Sequence, residues 1–155
     1  MPITQRFTVE GLADLDTALL ELPKATARNV LLRVLTKEAQ PIADAGEALA
    51  PRRTGQLAMS YTVSTKLSPR TRAQNPKESD VEVYVGPGAR FSASAIATEF
   101  GNAHQAPESH MRPAWDQNVQ NVLNRIAADL AIEIEKARAR IARKAEREAA
   151  KMGAR

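Results

Sequence analysis

The chain has 155 residues, 43% of them hydrophobic but only 4% aromatic, with no cysteine and 22 Lys/Arg against 18 Asp/Glu. That length suits one compact domain rather than two well-buried ones, and the missing cysteines exclude a disulfide framework or a thiolate metal site. No segment approaches the ~20 apolar residues of a membrane span and the start, MPITQRFTVEG, lacks the basic and apolar runs of a signal peptide, so a soluble chain made in the cytoplasm is expected.

Residues 3–9 (ITQRFTV) alternate polar and apolar side chains and predict a short edge strand. Leu12, Leu15, Leu19 and Leu22 recur at helical steps and predict one apolar helix face. Pro23 suits the first turn of a second helix, and Leu31, Val34, Leu35, Ile42, Ala45 and Leu49 extend its stripe to about residue 49, with a kink expected at Pro41.

After APRRTGQL, the alternation of Tyr61, Val63 and Leu67 predicts a strand, and Val81, Val83 and Val85 predict its antiparallel partner. Between them lies SPRTRAQNPKESD (68–80), proline-broken and without a large apolar group. It reads as an extended hairpin tip that orders against another subunit, with Arg70, Arg72 and Lys77 as its candidate contact residues.

GPG at 86–88 ends the second strand as a plain turn, and SASAIATEFG predicts a short helix stopped by Gly101. From Pro113 a long helix follows, its stripe running from Trp115 through Val119, Val122, Ile126, Leu130, Ile134 and Ala137 to Ile141. Trp115 is expected in the core, with an intersubunit contact as the other reading. The segment 133–155 carries eight Lys/Arg and four Glu, and the sequence predicts a single domain over 1–142 with a basic, frayed tail over 143–155. The expected class is α+β: a small antiparallel sheet with a long hairpin loop, packed against two long helices and one short one.

Both histidines and the only tryptophan fall in EFGNAHQAPESHMRPAWDQN (99–118). His104 and His110 with Glu99 and Glu108 match no metal-ligand spacing, and solvated histidines in a polar loop are expected there. No elbow motif supports a hydrolytic triad and no phosphate loop is present, so neither an enzyme nor a cofactor is expected. Arg112 carries more information. A cation at a helix N-terminus opposes the macrodipole unless a carboxylate offsets it, and Glu99 and Glu108 are the candidate partners; the alternative leaves Arg112 facing solvent. The stretch therefore reads as a structural joint between the short helix and the last one.

APRRTGQLAMS (50–60), VYVGP (83–87), ATEFGN (97–102) and SHMRPAW (109–115), in this order before a long basic helix, resemble the tail-completion proteins of long-tailed bacteriophages. These are also called minor tail components or head-tail joining proteins, and the minor tail protein Z of phage lambda is a distant example. The matching positions are Ala50, Pro51, Thr54, Gly55 and Leu57, then Glu99, Phe100 and Gly101, then Arg112, Pro113 and Ala114. Where the family often has an aromatic residue, this chain has His110.

The resemblance implies a non-catalytic virion protein of the neck, assembled in the host cytoplasm into a homo-oligomeric ring, a hexamer in preference to a dodecamer. The ring would stand between the head-completion (stopper or adaptor) proteins and the tail terminator or tail tube, with non-specific contact to channel DNA and no contact with a membrane. The competing class is a small nucleic-acid-binding protein using its basic C-terminal helix on phosphates.

Overall fold

The computed structural model describes residues 9–153, so the strand expected at 3–9 lies almost wholly outside the described residues. The first helix, α1 (Leu12–Leu20), turns Leu15 and Leu19 toward Leu22, while Leu12 stays half exposed. Pro23 stands one residue ahead of α2 (Lys24–Leu49), so its missing N–H falls where no intrahelical partner exists. The helix runs on through Pro41, which removes one rung of the ladder without dividing the element.

The last helix, α5 (Met111–Gly153), has 43 residues and is about 65 Å long at the α-helical rise. It lies antiparallel to α2, since Arg33 meets Glu133, Lys37 meets Asp129, Glu38 meets Arg125 and Gly46 meets Met111. At one end of this seam Val30 and Val34 pack with Leu22, Leu130, Ile134 and Ala137, covered by α1. At the other end Ala50, Ala58 and Tyr61 form a second cluster with Leu57 and Met111.

Midway between the clusters Glu38 is buried to 1% exposure, with Arg125 Nε at 2.6 Å from Oε2 and Lys37 Nζ at 3.2 Å from Oε1. Its Oε2 accepts no directed hydrogen bond from the described residues, so the Arg125 contact is an ion pair whose N–H is not aimed at the oxygen. Lys37 also bonds Asp129, which raises the lysine's pKa and lowers the aspartate's.

Strands β1 (Tyr61–Ser64) and β2 (Tyr84–Pro87) pair antiparallel with Val63 opposite Val85. The second strand therefore begins three residues later than the alternation of Val81 and Val83 predicts. The Glu82 carboxylate accepts the N–H groups of Glu78 and Ser79 at 2.6 and 2.9 Å, closing a loop where the ladder was expected. Gly86 and Pro87 consequently belong to the strand, and Gly88 donates to the Ser60 carbonyl just beyond it.

Residues 68–80 are exposed apart from the half-buried Ser68 and Thr71, but they are not simply extended, because they contain α3 (Pro69–Gln74). Ser68 caps it by accepting the Thr71 N–H, and Pro69 occupies the first helical position. The Ser-Pro pair was thus a helix start within a segment read as an open tip.

The short helix α4 (Ser92–Phe100) stops at Gly101, whose φ of +74° is the left-handed region that glycine enters freely. A side chain there would also meet the Gln105 carbonyl and Pro107, each 2.9 Å from a Cβ.

α5 extends unbroken through residues 143–153, the segment expected to fray. Every one of these side chains is exposed, and the alanines, lysines, arginines and glutamates that removed the apolar stripe are strong helix formers. Among the described residues no helix is long and apolar enough to cross a membrane.

Candidate functional site

Gly101 turns the chain away from α4, and the loop that follows returns alongside it, with the Glu108 N–H donating to the Thr98 carbonyl at 2.7 Å. This brings residues 109–112 back against Glu99, the penultimate residue of α4. The Glu99 side chain is 7% exposed and sits directly beneath the first turn of α5. One oxygen accepts the backbone N–H of His110 at 2.8 Å and of Met111 at 2.9 Å; the other accepts the backbone N–H of Arg112 at 3.2 Å and its Nε at 2.9 Å. A residue from another helix thus caps α5, satisfying three N–H groups that helix geometry leaves without partners.

Burial, the largest single influence on this carboxyl, favours its neutral form. The N–H groups of His110 and Met111, with the side chain and N–H of Arg112, together outweigh burial and hold its pKa at about 2.

Arg112 bonds Glu99, and Glu108 contributes no side-chain oxygen to it. The guanidinium also reaches the Glu99 carbonyl at 3.3 Å and the Ser109 hydroxyl at 2.6 Å, and lies over the Phe100 ring, 5.1 Å from its centre. Its side chain remains 60% exposed.

His110 corrects the sequence reading most sharply. It is 1% exposed rather than solvated. Nδ1 lies 3.1 Å from the Glu108 carbonyl and 3.3 Å from Glu99, both acceptors, so Nδ1 carries the proton and Nε2 accepts from the Tyr61 hydroxyl. The two rings meet edge to face at 5.6 Å. Burial first, and then the Glu99 charge, push the Tyr61 phenol up to about 12. The phenol therefore stays protonated, and its bond to His110 ties the β1 cluster to the joint. His104 is exposed; its N–H bonds the Asn102 side chain, and it takes no part in this network. Among the described residues no three His, Asp or Glu are grouped to hold a metal ion.

Trp115 is 46% exposed, not core. Because α5 begins at Met111, two residues before Pro113, His110 and Ala114 take the inward positions four apart, and Ala114 is fully buried. Trp115, one step further round, points outward. Pro113 remains within the first turn, where proline is tolerated.

Gly55, at φ +73°, accepts the Met59 N–H and opens the turn that leads into Tyr61. Thr54 is exposed and makes no hydrogen bond among the described residues. Arg70, Arg72 and Lys77 lie apart from the joint, on α3 and the loop after it.

The Glu99 oxygens and both His110 ring nitrogens are bonded to protein partners, which holds the geometry of the joint. A concave surface of about 680 Å³ opens onto it, lined by Glu99, His110 and Arg112 of the joint together with Tyr61, Ile96 and Phe100. No protein-family model, curated protein or solved structure matches this chain.

The carboxyl is ionised in the folded state far below its ordinary value of 4.5, so its contribution is present above pH 4.5 and is lost as pH falls toward 2. Glu99→Gln should therefore flatten the loss of stability between pH 5 and 2.5, read by urea unfolding at stepped pH; an unchanged acid limb would contradict this. At pH 7, Arg112→Ala should cost only about 1 kcal/mol, because its half-exposed guanidinium is one of four donors. Glu99→Ala should cost about 3 kcal/mol or more by stranding three N–H groups. Equal costs would refute the hierarchy.

Proposed function

We propose that the chain is a structural subunit of the phage neck, joining the head-completion complex to the tail as part of a homo-oligomeric ring. The observation that carries this reading is the convergence of the motif residues. Glu99 and Gly101 from ATEFGN and His110, Arg112 and Ala114 from SHMRPAW build one joint. Ala50, Leu57 and Ala58 from APRRTGQLAMS pack beneath it around Tyr61. Two of the matching positions, Glu99 and Arg112, are thus bonded to each other where α4 meets α5, although His110 departs from the family pattern and Thr54 lies outside the joint.

A ring subunit needs a fixed angle there, because a small error in orientation repeats at every interface and prevents closure. The subunit also needs surface for its neighbours. Around the joint Ile96, Phe100 and Trp115 remain 61%, 63% and 46% exposed, large apolar side chains that a neighbouring subunit would cover. The proposed ring is a hexamer, with a dodecamer as the alternative stoichiometry. Its partners are the tail terminator or tail tube on one side and the stopper or adaptor proteins on the other.

Deleting the gene in its phage should leave DNA-filled heads and separate tails in electron micrographs, with few joined particles. Normal yields of complete, infectious virions from the deletion strain would overturn the proposal.

A further inference from the structure

A second cavity, of about 480 Å³, lies between the start of α2 and the loop joining the strands. Four cations line it from separate parts of the chain: Arg28 on α2, Lys66 after β1, Arg72 on α3 and Lys77 in the following loop. Some cations elsewhere are paired, as in Arg33 with Glu133, Lys37 with Asp129 and Arg138 with Glu21, while others such as Arg52, Arg53 and Arg90 stand alone on the surface among the described residues; what sets these four apart is that they line one cavity. Among the described residues Arg28, Lys66 and Arg72 have no carboxylate within ion-pair distance.

The two acids on the same wall offset only part of this charge, four cations standing against two carboxylates. Glu82 already accepts two backbone N–H groups and the Tyr84 hydroxyl, and Asp80 faces Lys24 at 3.7 Å. Lys77 is held in place by the Asp80 carbonyl at 2.7 Å. Like charges gathered on a concave wall repel one another and concentrate a positive potential there, a cost that a bound anion removes. Two guanidinium forks and two ammonium groups match the oxygens of phosphate, and the Tyr84 ring on the same wall offers a face for a base.

We propose that this cavity binds a phosphate group, free or in a nucleic-acid strand, through Arg28, Lys66, Arg72 and Lys77. The site is separate from Glu99 and from the basic end of α5, so its failure to bind phosphate leaves the joint and the ring proposal to their own tests.

The test uses the full chain with two probes, a labelled 12-nucleotide oligothymidine followed by anisotropy and inorganic phosphate followed by amide chemical shifts, at 50 and 150 mM NaCl. The triple variant Arg28→Gln/Lys66→Gln/Arg72→Gln should bind the strand at least about tenfold more weakly and with a shallower salt slope, by about 2 for three lost phosphate contacts. The control Arg143→Gln/Lys144→Gln/Arg147→Gln, on the exposed end of α5, should leave the phosphate-induced shifts around Arg28 and Arg72 unchanged. Binding of the strand much tighter than of phosphate assigns the natural ligand to nucleic acid, and equal binding assigns it to the free anion. Failure of the parent to bind either probe at 50 mM NaCl, or a loss confined to the α5 variant, would overturn the proposal. The substituted side chains are exposed, and an unchanged circular dichroism melt establishes that the variants are folded.

Discussion

The buried carboxylate of Glu99 is the contact on which the geometry of this molecule turns. A helix of 43 residues needs a defined starting direction, and its first N–H groups need acceptors. Here one side chain from a different helix supplies both, so the ends of α4 and α5 are fixed by the same bonds. Four donors on two oxygens explain why a carboxylate can sit under a protein surface in its charged form. They also explain why Arg112 is tolerated where the macrodipole opposes it, since the cation faces an anion that lies between it and the helix end.

From that point constraint spreads along α5. His110 links the joint to β1 through Tyr61, and Tyr61 lies against Gly46 of α2, where a Cβ would come within 3.2 Å of its ring and 2.7 Å of the Met111 sulfur. The absence of a side chain at Gly46 lets α2, β1 and the start of α5 meet at one place. Farther along, the Glu38 ion contacts and then the Val30, Val34, Leu130 and Ile134 cluster hold the same two helices together. From Ala139 to Gly153 the helix leaves the body of the protein with every side chain in solvent. Half of the chain's shape is therefore organised by one antiparallel pair whose angle is set at one end.

The helices were legible in the sequence because apolar spacing survives packing: the stripe from Val119 to Ala137 is the face that α5 buries. The Glu99–Arg112 pair was legible as one of two alternatives, because a cation at a helix start demands a carboxylate. The burial of His110 was not, since its environment is created by Tyr61, 49 residues away, and a polar loop sequence carries no sign of that contact. Trp115 was misplaced by assuming that the helix began at Pro113; starting it at Met111 turns Ala114 inward. The α3 helix was overlooked because, within 68–80, the prolines were read as breakers, although Ser68-Pro69 is also a capped first turn. The late start of β2 depends on Glu82 folding back onto two N–H groups, a choice between loop and ladder that alternation alone does not decide.

The most direct measurement is the titration of the Glu99 side-chain carboxyl by carbon-detected nuclear magnetic resonance on the folded chain. The account predicts a midpoint near 2, with the amide protons of His110, Met111 and Arg112 shifting on the same curve. A midpoint near the ordinary value of 4.5, or a curve that those three amides do not follow, would contradict it.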